Sequence, residues 1–258
     1  MIQIPKGETA GSMEGKVALV TGAAGGIGRA SAEAFGARGA AVACLDIDRN
    51  GGEKTAAAIA EHGGSAAFIP CDVADEAQVE QAIAATVERF GRLDYAHNNA
   101  GVEGPVVPLT EVSRADWDRL LSINLTGVWL CMRAEIPLLL ESGGAIVNTA
   151  SASGLVARPG GIAAYVATKH GVIGLTKGAA VDYSAAGLRV NAVCPGPIAT
   201  PFIEDLADDV KEMLLSLTPI HRFAAPEEVG RVVAWLCSDE ASFMTGAAVA
   251  VDGGVTAF

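Results

Sequence analysis

Residues 17–28 read Val-Ala-Leu-Val-Thr-Gly-Ala-Ala-Gly-Gly-Ile-Gly. The apolar run 17–21 predicts a short buried strand, and residues 29–38 predict a helix. A glycine-rich turn between a strand and a helix N-terminus offers an anion backbone N–H groups and the positive end of the helix dipole. Glycine is needed because a Cβ atom would block the close approach of a pyrophosphate. The stretch therefore predicts a nucleotide-binding turn, although its G-x-x-x-G-x-G spacing differs from the G-x-G-x-x-G fingerprint.

The second predicted strand, residues 41–46, ends in the carboxylate of Asp46, 18 residues after Gly28. A carboxylate in this place can accept hydrogen bonds from both hydroxyls of an adenosine ribose. It would also repel the 2′-phosphate of NADP, and the turn at residues 23–25 contains no Arg or Lys to bind that phosphate. The alternative is a solvated strand end. The spacing favours the cofactor role, with NAD rather than NADP.

Strands and helices alternate along the rest of the chain, which predicts an α/β fold with right-handed βαβ units and a parallel sheet. The further predicted elements are helix 51–62, strand 66–71, helix 75–90, strand 93–97, helix 113–141, strand 145–149, helix 162–186, strand 188–194, a helix from residue 226 and strand 248–252. The composition of the last strand predicts that it is buried. We expect an N-terminal extension, residues 1–14, and a single domain, residues 15–258.

Several polar residues and glycines fall where predicted strands end. They are Gly22, Asp46, Asp72, Asn98 and Ser151. In open parallel sheets, ligands bind outside the carboxyl ends of the strands, where the strand order reverses. We therefore expect these residues to gather on one rim of the sheet.

Tyr165 and Lys169 are four residues apart on a predicted helix, so their side chains share one face. A positive charge about 4 Å from a phenol contributes about 4 kcal/mol at an effective dielectric of about 20. That energy corresponds to about 3 pKa units, enough to bring a tyrosine pKa from about 10 to near neutrality. The pair therefore predicts a general base, against the alternative of a packed tyrosine beside a solvated lysine. Asn124 lies inside the predicted helix 113–141 as either a satisfied core amide or a site residue.

Composition excludes some partners and indicates others. The net charge of −12 and pI near 4.7 argue against nucleic acid and anionic membranes. No run approaches the roughly 20 apolar residues of a membrane helix, and residues 1–15 have no apolar core typical of a signal peptide. Half of the residues are hydrophobic, which indicates subunit contacts besides a large core.

The cysteines and histidines predict neither disulfides nor a metal site. The five cysteines are scattered singly without a C-x-x-C pair, as is typical of buried reduced thiols in a cytoplasmic protein. The four histidines are isolated from one another and lack ligand spacing. We therefore expect a cytoplasmic protein with no bound metal.

Taken together, the motifs resemble the classical short-chain dehydrogenase/reductase family. The matching segments, in the family's order, are Thr21–Gly28, Asp72-Val73, Asn98–Gly101, Asn124, Ser151, Tyr165–Lys169 and Pro195–Thr200. The resemblance implies a Rossmann-like doubly wound parallel sheet of about seven strands in the order 3-2-1-4-5-6-7, with helices on both faces. Ser151 precedes Tyr165 by 14 positions, one more than is common in the family. We assign the extra residue to the loop 158–161.

The resemblance also implies a role for each matching residue. Tyr165 would exchange a proton with the substrate oxygen, and Lys169 would lower its pKa and bind the nicotinamide ribose. Ser151 would hold the substrate oxygen, and Asn124 would support a water relay from Lys169 to solvent. The expected cofactor contacts are Gly22, Gly26, Ile27 and Gly28 at the pyrophosphate, Asp46 at the adenosine ribose, Asp72 and Val73 at the adenine, Asn98 at the ribose region, Tyr165 and Lys169 at the nicotinamide ribose, and Ile198 and Thr200 at the carboxamide.

The substrate pocket is expected between loops 102–108 and 153–161 and a lid at about residues 201–225. Ser153 and Phe202 are the expected lining residues. The predicted function is an NAD(H)-dependent oxidoreductase that interconverts a secondary alcohol and a ketone by hydride transfer, acting as a homotetramer. A non-catalytic nucleotide-binding scaffold or regulator is one alternative, and a 3-oxoacyl reductase is another, although Asp46 argues against its usual NADP. A cyclic alcohol, a sugar and a dihydrodiol are all compatible substrates.

Overall fold

The structure, a computed structural model, describes residues 12–157, 160–200, 203 and 207–257. Within these residues seven strands form one parallel sheet in the order β3-β2-β1-β4-β5-β6-β7. The strands are β1 Val17–Thr21, β2 Ala41–Asp46, β3 Ala66–Pro70, β4 Tyr95–Asn98, β5 Ala145–Thr149, β6 Arg189–Pro195 and β7 Ala248–Val251. The predicted fold class and strand order are confirmed.

Helices cover both faces of the sheet. They are α1 Gly26–Ala37, α2 Arg49–Glu61, α3 Glu76–Phe90, α4 Arg114–Leu121, α5 Gly127–Ser142, α6 Ala163–Tyr183, α7 Asp208–Ser216 and α8 Pro226–Cys237. One apolar layer joins the sheet to α1, α2 and α8, and the other joins it to α3, α5 and α6. The central strands β1 and β5 are buried along their whole length, as continuous apolar runs of parallel sheets require.

Local sequence signals account for the ends of several helices. The Asp75 side chain accepts a hydrogen bond from Gln78 N at 3.2 Å at the start of α3, and Ser113 accepts one from Asp116 N at 3.0 Å at the start of α4. Gly91 and Gly143 end α3 and α5 in the left-handed conformation. Each device satisfies backbone groups that a helix end leaves without a partner.

The predicted helix 113–141 differs from the structure at its centre. A π-helical turn, Ser122–Thr126, separates α4 from α5. A π turn inserts one residue into the helical repeat. This insertion is not visible in the pattern of apolar residues along the sequence. Among the described residues, the helical stretch Arg114–Ser142 is long and apolar enough to cross a membrane by length and composition only. Half of its most apolar window is buried inside the fold.

The last strand and the N-terminal boundary also differ from expectation. The prediction that β7 is buried is wrong: its residues are half-buried or exposed, because it pairs only with β6 at the edge of the sheet. Met13, inside the predicted extension, is fully buried, and its N–H donates to Arg38 O at 2.8 Å. Residues 1–11 lie outside the described residues. So do residues 201, 202 and 204–206 of the predicted lid, whose described part contains α7.

Candidate active site

The carboxyl ends of the central strands bring the predicted site residues to one rim. A Cβ atom on Gly22, directly after β1, would lie 2.9 Å from Nδ2 of Asn99, directly after β4. A Cβ atom on Gly26 would lie 3.2 Å from Cγ2 of Thr200, in the connection after β6. The glycine-rich turn therefore contacts the connections that follow two other strands, where the sheet reverses its order.

The glycine-rich turn fits the pyrophosphate of a dinucleotide. Gly22 and Gly26 have φ angles of 67° and 51°, which glycine adopts without steric cost. A Cβ atom on Gly28 would lie only 2.0 Å from the carbonyl oxygen of Gly22. Helix α1 has no side-chain cap, so its first N–H groups are available to an anion. Ile27 packs against the apolar layer beneath α1.

Asp46 is fixed at the tip of β2 by two backbone hydrogen bonds. Its Oδ2 accepts from Ala24 N at 2.8 Å, and its Oδ1 accepts from Asp48 N at 2.9 Å. The side chain is half-buried, and each carboxylate oxygen keeps a second lone pair for a ligand. The predicted strand-end carboxylate thus lies against the glycine-rich turn in a fixed orientation.

The adjacent asparagines Asn98 and Asn99, at the carboxyl end of β4, have different surroundings. Asn98 is buried, and its Nδ2 donates to Glu135 Oε2 at 3.0 Å and to Asn148 Oδ1 at 3.1 Å. Asn99 Nδ2 donates to Thr21 O at 3.2 Å. The side chain of Asn98, predicted at the cofactor, is therefore occupied inside the fold, and the side chain that contacts the rim belongs to Asn99.

A hydrogen-bonded chain that sequence reasoning missed leads from the sheet interior to Asn99. The Oγ1 of Thr149 donates to Asn99 Oδ1 at 3.2 Å and lies 2.8 Å from Nε2 of His97. Because that hydroxyl proton points to Asn99, Nε2 of His97 is the donor in the second bond. Burial lowers the pKa of His97 to about 3, so its ring is neutral. The sequence His-Asn-Asn-Ala-Gly at residues 97–101 contains His97 and Asn99 but does not show which side chain faces the rim.

Ser151, Tyr165 and Lys169 meet beside this chain. The side chains of Ser151 and Tyr165 are hydrogen-bonded, and Lys169 Nζ lies 5.6 Å from the centroid of the Tyr165 ring. Lys169 is buried, and its Nζ donates to the backbone carbonyl of Thr149 at 3.0 Å. Helix α6 thus presents phenol and ammonium on one face, next to the hydroxyl that follows β5.

Asn124 joins this group through the π-helical turn. Its Oδ1 accepts from Val102 N, and its Nδ2 donates to Val102 O, both at 2.8 Å. A Cβ atom on Gly101 would lie 3.3 Å from Asn124 Oδ1 and 3.5 Å from Lys169 Nζ. Asn124 is therefore a buried amide with hydrogen-bond partners, and it also lies near Lys169. Its surroundings are compatible with both sequence interpretations, a core amide and a site residue.

The effects on the pKa values of Tyr165 and Lys169 differ from the sequence expectation. Burial raises the pKa of Tyr165, the Glu103 carboxylate raises it further, and the Ser151 hydrogen bond lowers it. Burial lowers the pKa of Lys169 to about 8, against the opposing effect of Glu103. Lys169 does not contribute to the pKa of Tyr165, contrary to the sequence expectation, and burial is the largest effect on that pKa. Glu103, in loop 102–108, was not singled out by sequence.

The remaining predicted cofactor residues line two ends of the rim. At the end expected to bind the adenine, Val73 is buried, and Asp72 Oδ1 accepts from Ala74 N at 2.9 Å. On the opposite side, Ile198 is buried and bridges to Ala224. Thr200 lies against the glycine-rich turn as described above.

Of the two predicted substrate-lining residues, Ser153 lies beside Ser151. Ser153 is half-buried, and its N–H donates to Ser151 Oγ at 3.1 Å. Phe202 lies outside the described residues, as do residues 158 and 159 of the loop that was assigned the extra residue.

The cysteines are all buried and free, as predicted. Burial raises the pKa of Cys194, the thiol at the end of β6, to about 11. Across the described ranges, no group of three or more His, Cys, Asp or Glu side chains could hold a metal ion.

Comparison with known proteins supports the same assignment. A family model described as "Enoyl-(Acyl carrier protein) reductase" matches residues 22–256. The chain is 45% identical to a 2,5-dichloro-2,5-cyclohexadiene-1,4-diol dehydrogenase of Sphingobium indicum, covering 95% of this chain and 98% of that protein. It is 44% identical to a cis-4-hydroxycyclohexanecarboxylate dehydrogenase of Sinomonas cyclohexanicum, covering 94% and 97%. The crystal structure of levodione reductase superposes with a TM-score of 0.91 at 39% identity, covering 95% and 99%.

These relatives are named as dehydrogenases and a reductase, and the rim described above carries the tyrosine, lysine, serine and asparagine that the family resemblance implies. A glycine cradle at the N-terminus of α1 fits a dinucleotide. The chain therefore belongs to the classical short-chain dehydrogenase/reductase family, as an oxidoreductase that acts on the CH–OH group of a small molecule with a nicotinamide cofactor.

Proposed function

We propose that the protein is an NAD-dependent dehydrogenase of secondary ring alcohols, with Tyr165 as the general acid and base. The observation that carries the proposal is the hydrogen-bonded Ser151–Tyr165 pair with Lys169 Nζ 5.6 Å from the phenol ring. The names of the relatives support ring substrates, since both curated relatives are named for six-membered carbocycles.

The residues divide the chemistry among themselves. Bound nicotinamide supplies the hydride acceptor or donor. Ser151 donates a hydrogen bond to the substrate oxygen and fixes it beside the Tyr165 hydroxyl. In oxidation, Tyr165 in its phenolate form takes the proton of the alcohol; in reduction, the phenol returns a proton to the carbonyl oxygen. The Lys169 ammonium, held by the Thr149 carbonyl, is assigned the binding of the nicotinamide ribose hydroxyls.

The raised pKa of Tyr165 is consistent with this division. Burial keeps the phenol protonated, which is the form needed to donate a proton. Oxidised nicotinamide is positively charged, so its binding would add a second positive charge and favour the phenolate. Asn124 fixes loop 102–108 and the lysine's surroundings through Val102. We propose that Asn124 supports the water relay that returns protons to solvent.

NAD is the proposed cofactor because the Asp46 carboxylate lies at the tip of β2 against the glycine-rich turn. The carboxylate is fixed by Ala24 N and Asp48 N and cannot turn away without losing both hydrogen bonds. Its free lone pairs would accept the ribose hydroxyls of NAD. In NADP the same oxygens would face a phosphate of like charge.

We also propose a homotetramer in the cytoplasm. On α5 and α6, Trp129 is 42% exposed beside Gly171 and Gly174, in a shallow apolar depression of about 350 Å³. The half-exposed edge strand β7 offers a second face. Two different two-fold contacts would build a tetramer with closed symmetry. Five buried, unpaired cysteines fit a reducing compartment.

A screen of secondary ring alcohols with NAD tests the proposal, with the absorbance of reduced nicotinamide as the signal. We expect turnover of cyclohexanols and a much weaker signal with NADP. A non-catalytic scaffold would bind NAD without turning over any alcohol. A 3-oxoacyl reductase would instead reduce 3-oxoacyl thioesters, with NADPH preferred to NADH.

A further inference from the structure

His97 is a fully buried histidine on β4 that none of the roles above uses. Its Nε2 lies 2.8 Å from Oγ1 of Thr149, the last residue of the neighbouring strand β5. Thr149 in turn contacts two parts of the site. Its hydroxyl donates to Asn99 Oδ1 at 3.2 Å, and its carbonyl oxygen accepts from Lys169 Nζ at 3.0 Å. A single residue therefore separates His97 from the lysine and from the rim.

The direction of each hydrogen bond in this chain follows from its end at the rim. The Nδ2 of Asn99 faces the carbonyl oxygens of Thr21 and Gly22, at 3.2 and 3.5 Å. Because a carbonyl oxygen only accepts, the amide nitrogen must lie on that side. The Oδ1 of Asn99 therefore faces Thr149 and accepts its hydroxyl proton. The Thr149 oxygen then accepts from the Nε2–H of His97.

The surroundings of the other ring nitrogen select the same tautomer of His97. Nδ1 has no hydrogen-bond partner among the described residues, and a buried N–H in this place would lose its hydration without compensation. A proton on Nε2 avoids that cost, because Nδ1 then carries only a lone pair. Burial also lowers the pKa of His97 to about 3, so the ring stays neutral near pH 7. His97 is thus a fixed single donor to Thr149.

Asn99 connects Thr149 to the glycine-rich turn. A Cβ atom on Gly22 would lie 2.9 Å from Asn99 Nδ2, and a Cβ atom on Gly28 would lie 2.7 Å from the same nitrogen. The amide therefore fills the space that two glycines of the turn leave open. Because Thr149 holds its oxygen and the turn holds its nitrogen, the amide fixes the turn in one conformation. Such preorganisation raises affinity by reducing the entropy lost when a ligand binds.

We propose that His97 is a positioning residue for the cofactor, because its Nε2–H fixes Thr149. Through Thr149 it keeps both the Lys169 ammonium and the Asn99 amide in place. This inference rests on the proposed function, in which Lys169 binds the nicotinamide ribose. Loss of the His97 donor would leave the Thr149 oxygen without its hydrogen bond, next to two groups that face the cofactor. A histidine that only filled the core would affect stability but not cofactor affinity.

Dissociation constants of NADH and NADPH, measured by calorimetry, test this role without any substrate. His97→Leu removes the donor, and Thr149→Val removes the hydroxyl while keeping the shape of the side chain. We expect each variant to bind the preferred cofactor about 3- to 10-fold more weakly. Because both changes break the same hydrogen-bonded chain, the double variant should bind no more weakly than the weaker single variant. His97→Gln keeps an N–H donor and should stay within about twofold of the native constant.

Thr176→Val is the matched control. Thr176 is also a buried threonine, and its hydroxyl accepts a hydrogen bond from Asn148 Nδ2 on β5 at 2.9 Å. That hydroxyl donates to Val172 O within α6, at 2.8 Å, rather than to the site. Thr176→Val should therefore lower the free energy of unfolding and leave cofactor affinity native.

Native affinity in a folded His97→Leu or Thr149→Val protein overturns the role of His97. So does a double variant whose loss equals the product of the two single losses, or an equal loss of affinity in Thr176→Val. If His97→Leu does not fold, weak binding by Thr149→Val together with native binding by His97→Gln supports the role, and any other result overturns it. A protein that turns over no ring alcohol, or that prefers NADPH, contradicts only the proposed function, because the comparison uses whichever cofactor binds.

Discussion

Asp46 accepts a backbone hydrogen bond with each carboxylate oxygen, and this fixed orientation makes the cofactor preference testable at one residue. A like charge at the 2′-phosphate costs about 2–3 kcal/mol after allowance for solvent and salt. We therefore expect kcat/KM to favour NAD over NADP by about 30- to 150-fold. Asp46→Asn, which keeps the shape and removes the charge, should bring the ratio close to one, mainly by weakening the use of NAD.

Asp48→Asn provides the control for this experiment. Asp48 is the next acidic residue and caps α2 through Asn50 N at 3.0 Å. Its loss should leave the ratio of the two cofactors near the native value. Equal use of NAD and NADP by the native protein would show that Asp46 is a solvated strand end.

At the residue scale, the sequence predicted which reactive groups are present better than it predicted the environment of each side chain. Spacing placed Tyr165 and Lys169 on one helix face because helical periodicity is a local property. The sequence did not show which of Asn98 and Asn99 has its side chain at the rim. Contacts with α5 and β5 decide this, because they orient the Asn98 side chain into the fold. Glu103 was missed because a charge in an irregular loop has no periodic signal.

At the scale of elements, a buried polar network joins β4, β5, α5 and α6. Asn98 donates to Glu135 on α5 and to Asn148 on β5, and Asn148 Nδ2 donates to Thr176 Oγ1 on α6 at 2.9 Å. Glu135 is completely buried. Burial raises its pKa to about 7, partly offset by the Asn98 hydrogen bond.

This carboxyl should make stability depend on pH. The unfolded pKa is about 4.3, so the folded state holds the proton more tightly. Its contribution to stability is complete below pH 4.3 and is lost as the pH rises through about 7. Glu135→Gln mimics the protonated form, so we expect it to exceed the native free energy of unfolding by about 1 kcal/mol at pH 5 and by about 3–4 kcal/mol at pH 8.

Urea unfolding at pH 5 and pH 8 measures this difference. Glu141→Gln, a change at an exposed position of the same helix, should give the same difference from the native protein at both pH values. If Glu135→Gln also shifts stability equally at pH 5 and pH 8, the carboxyl does not titrate in this range.

Element boundaries followed from the sequence where a run of apolar residues is continuous, as in β1, β2 and β5. They did not follow where tertiary context decides. The π-helical turn Ser122–Thr126 adds one residue without changing composition. The apolar residues of β7 suggested burial, but its position at the sheet edge leaves them partly exposed.

For the whole molecule, the exposed apolar faces predict assembly. Gly174 and Gly178 on α6 have open space where a Cβ atom would lie, which allows a second helix to approach closely. We expect light scattering at micromolar concentration to give about four times the chain mass of 26.2 kDa. Trp129→Glu would place charges in a two-fold interface and should reduce the mass to that of a dimer. A native mass near 26.2 kDa would refute the tetramer.

The central claim, that Tyr165 exchanges the substrate proton in a NAD-dependent alcohol oxidation, is tested most directly by Tyr165→Phe. The measurement is kcat with a ring alcohol together with the dissociation constant of NAD. Tyr183→Phe, at the far end of the same helix, is the matched control and should retain native values. We predict that Tyr165→Phe lowers kcat by about 100- to 10,000-fold while NAD binding stays nearly native, because only the hydroxyl is lost. A Tyr165→Phe protein with turnover close to that of the native protein would contradict the account.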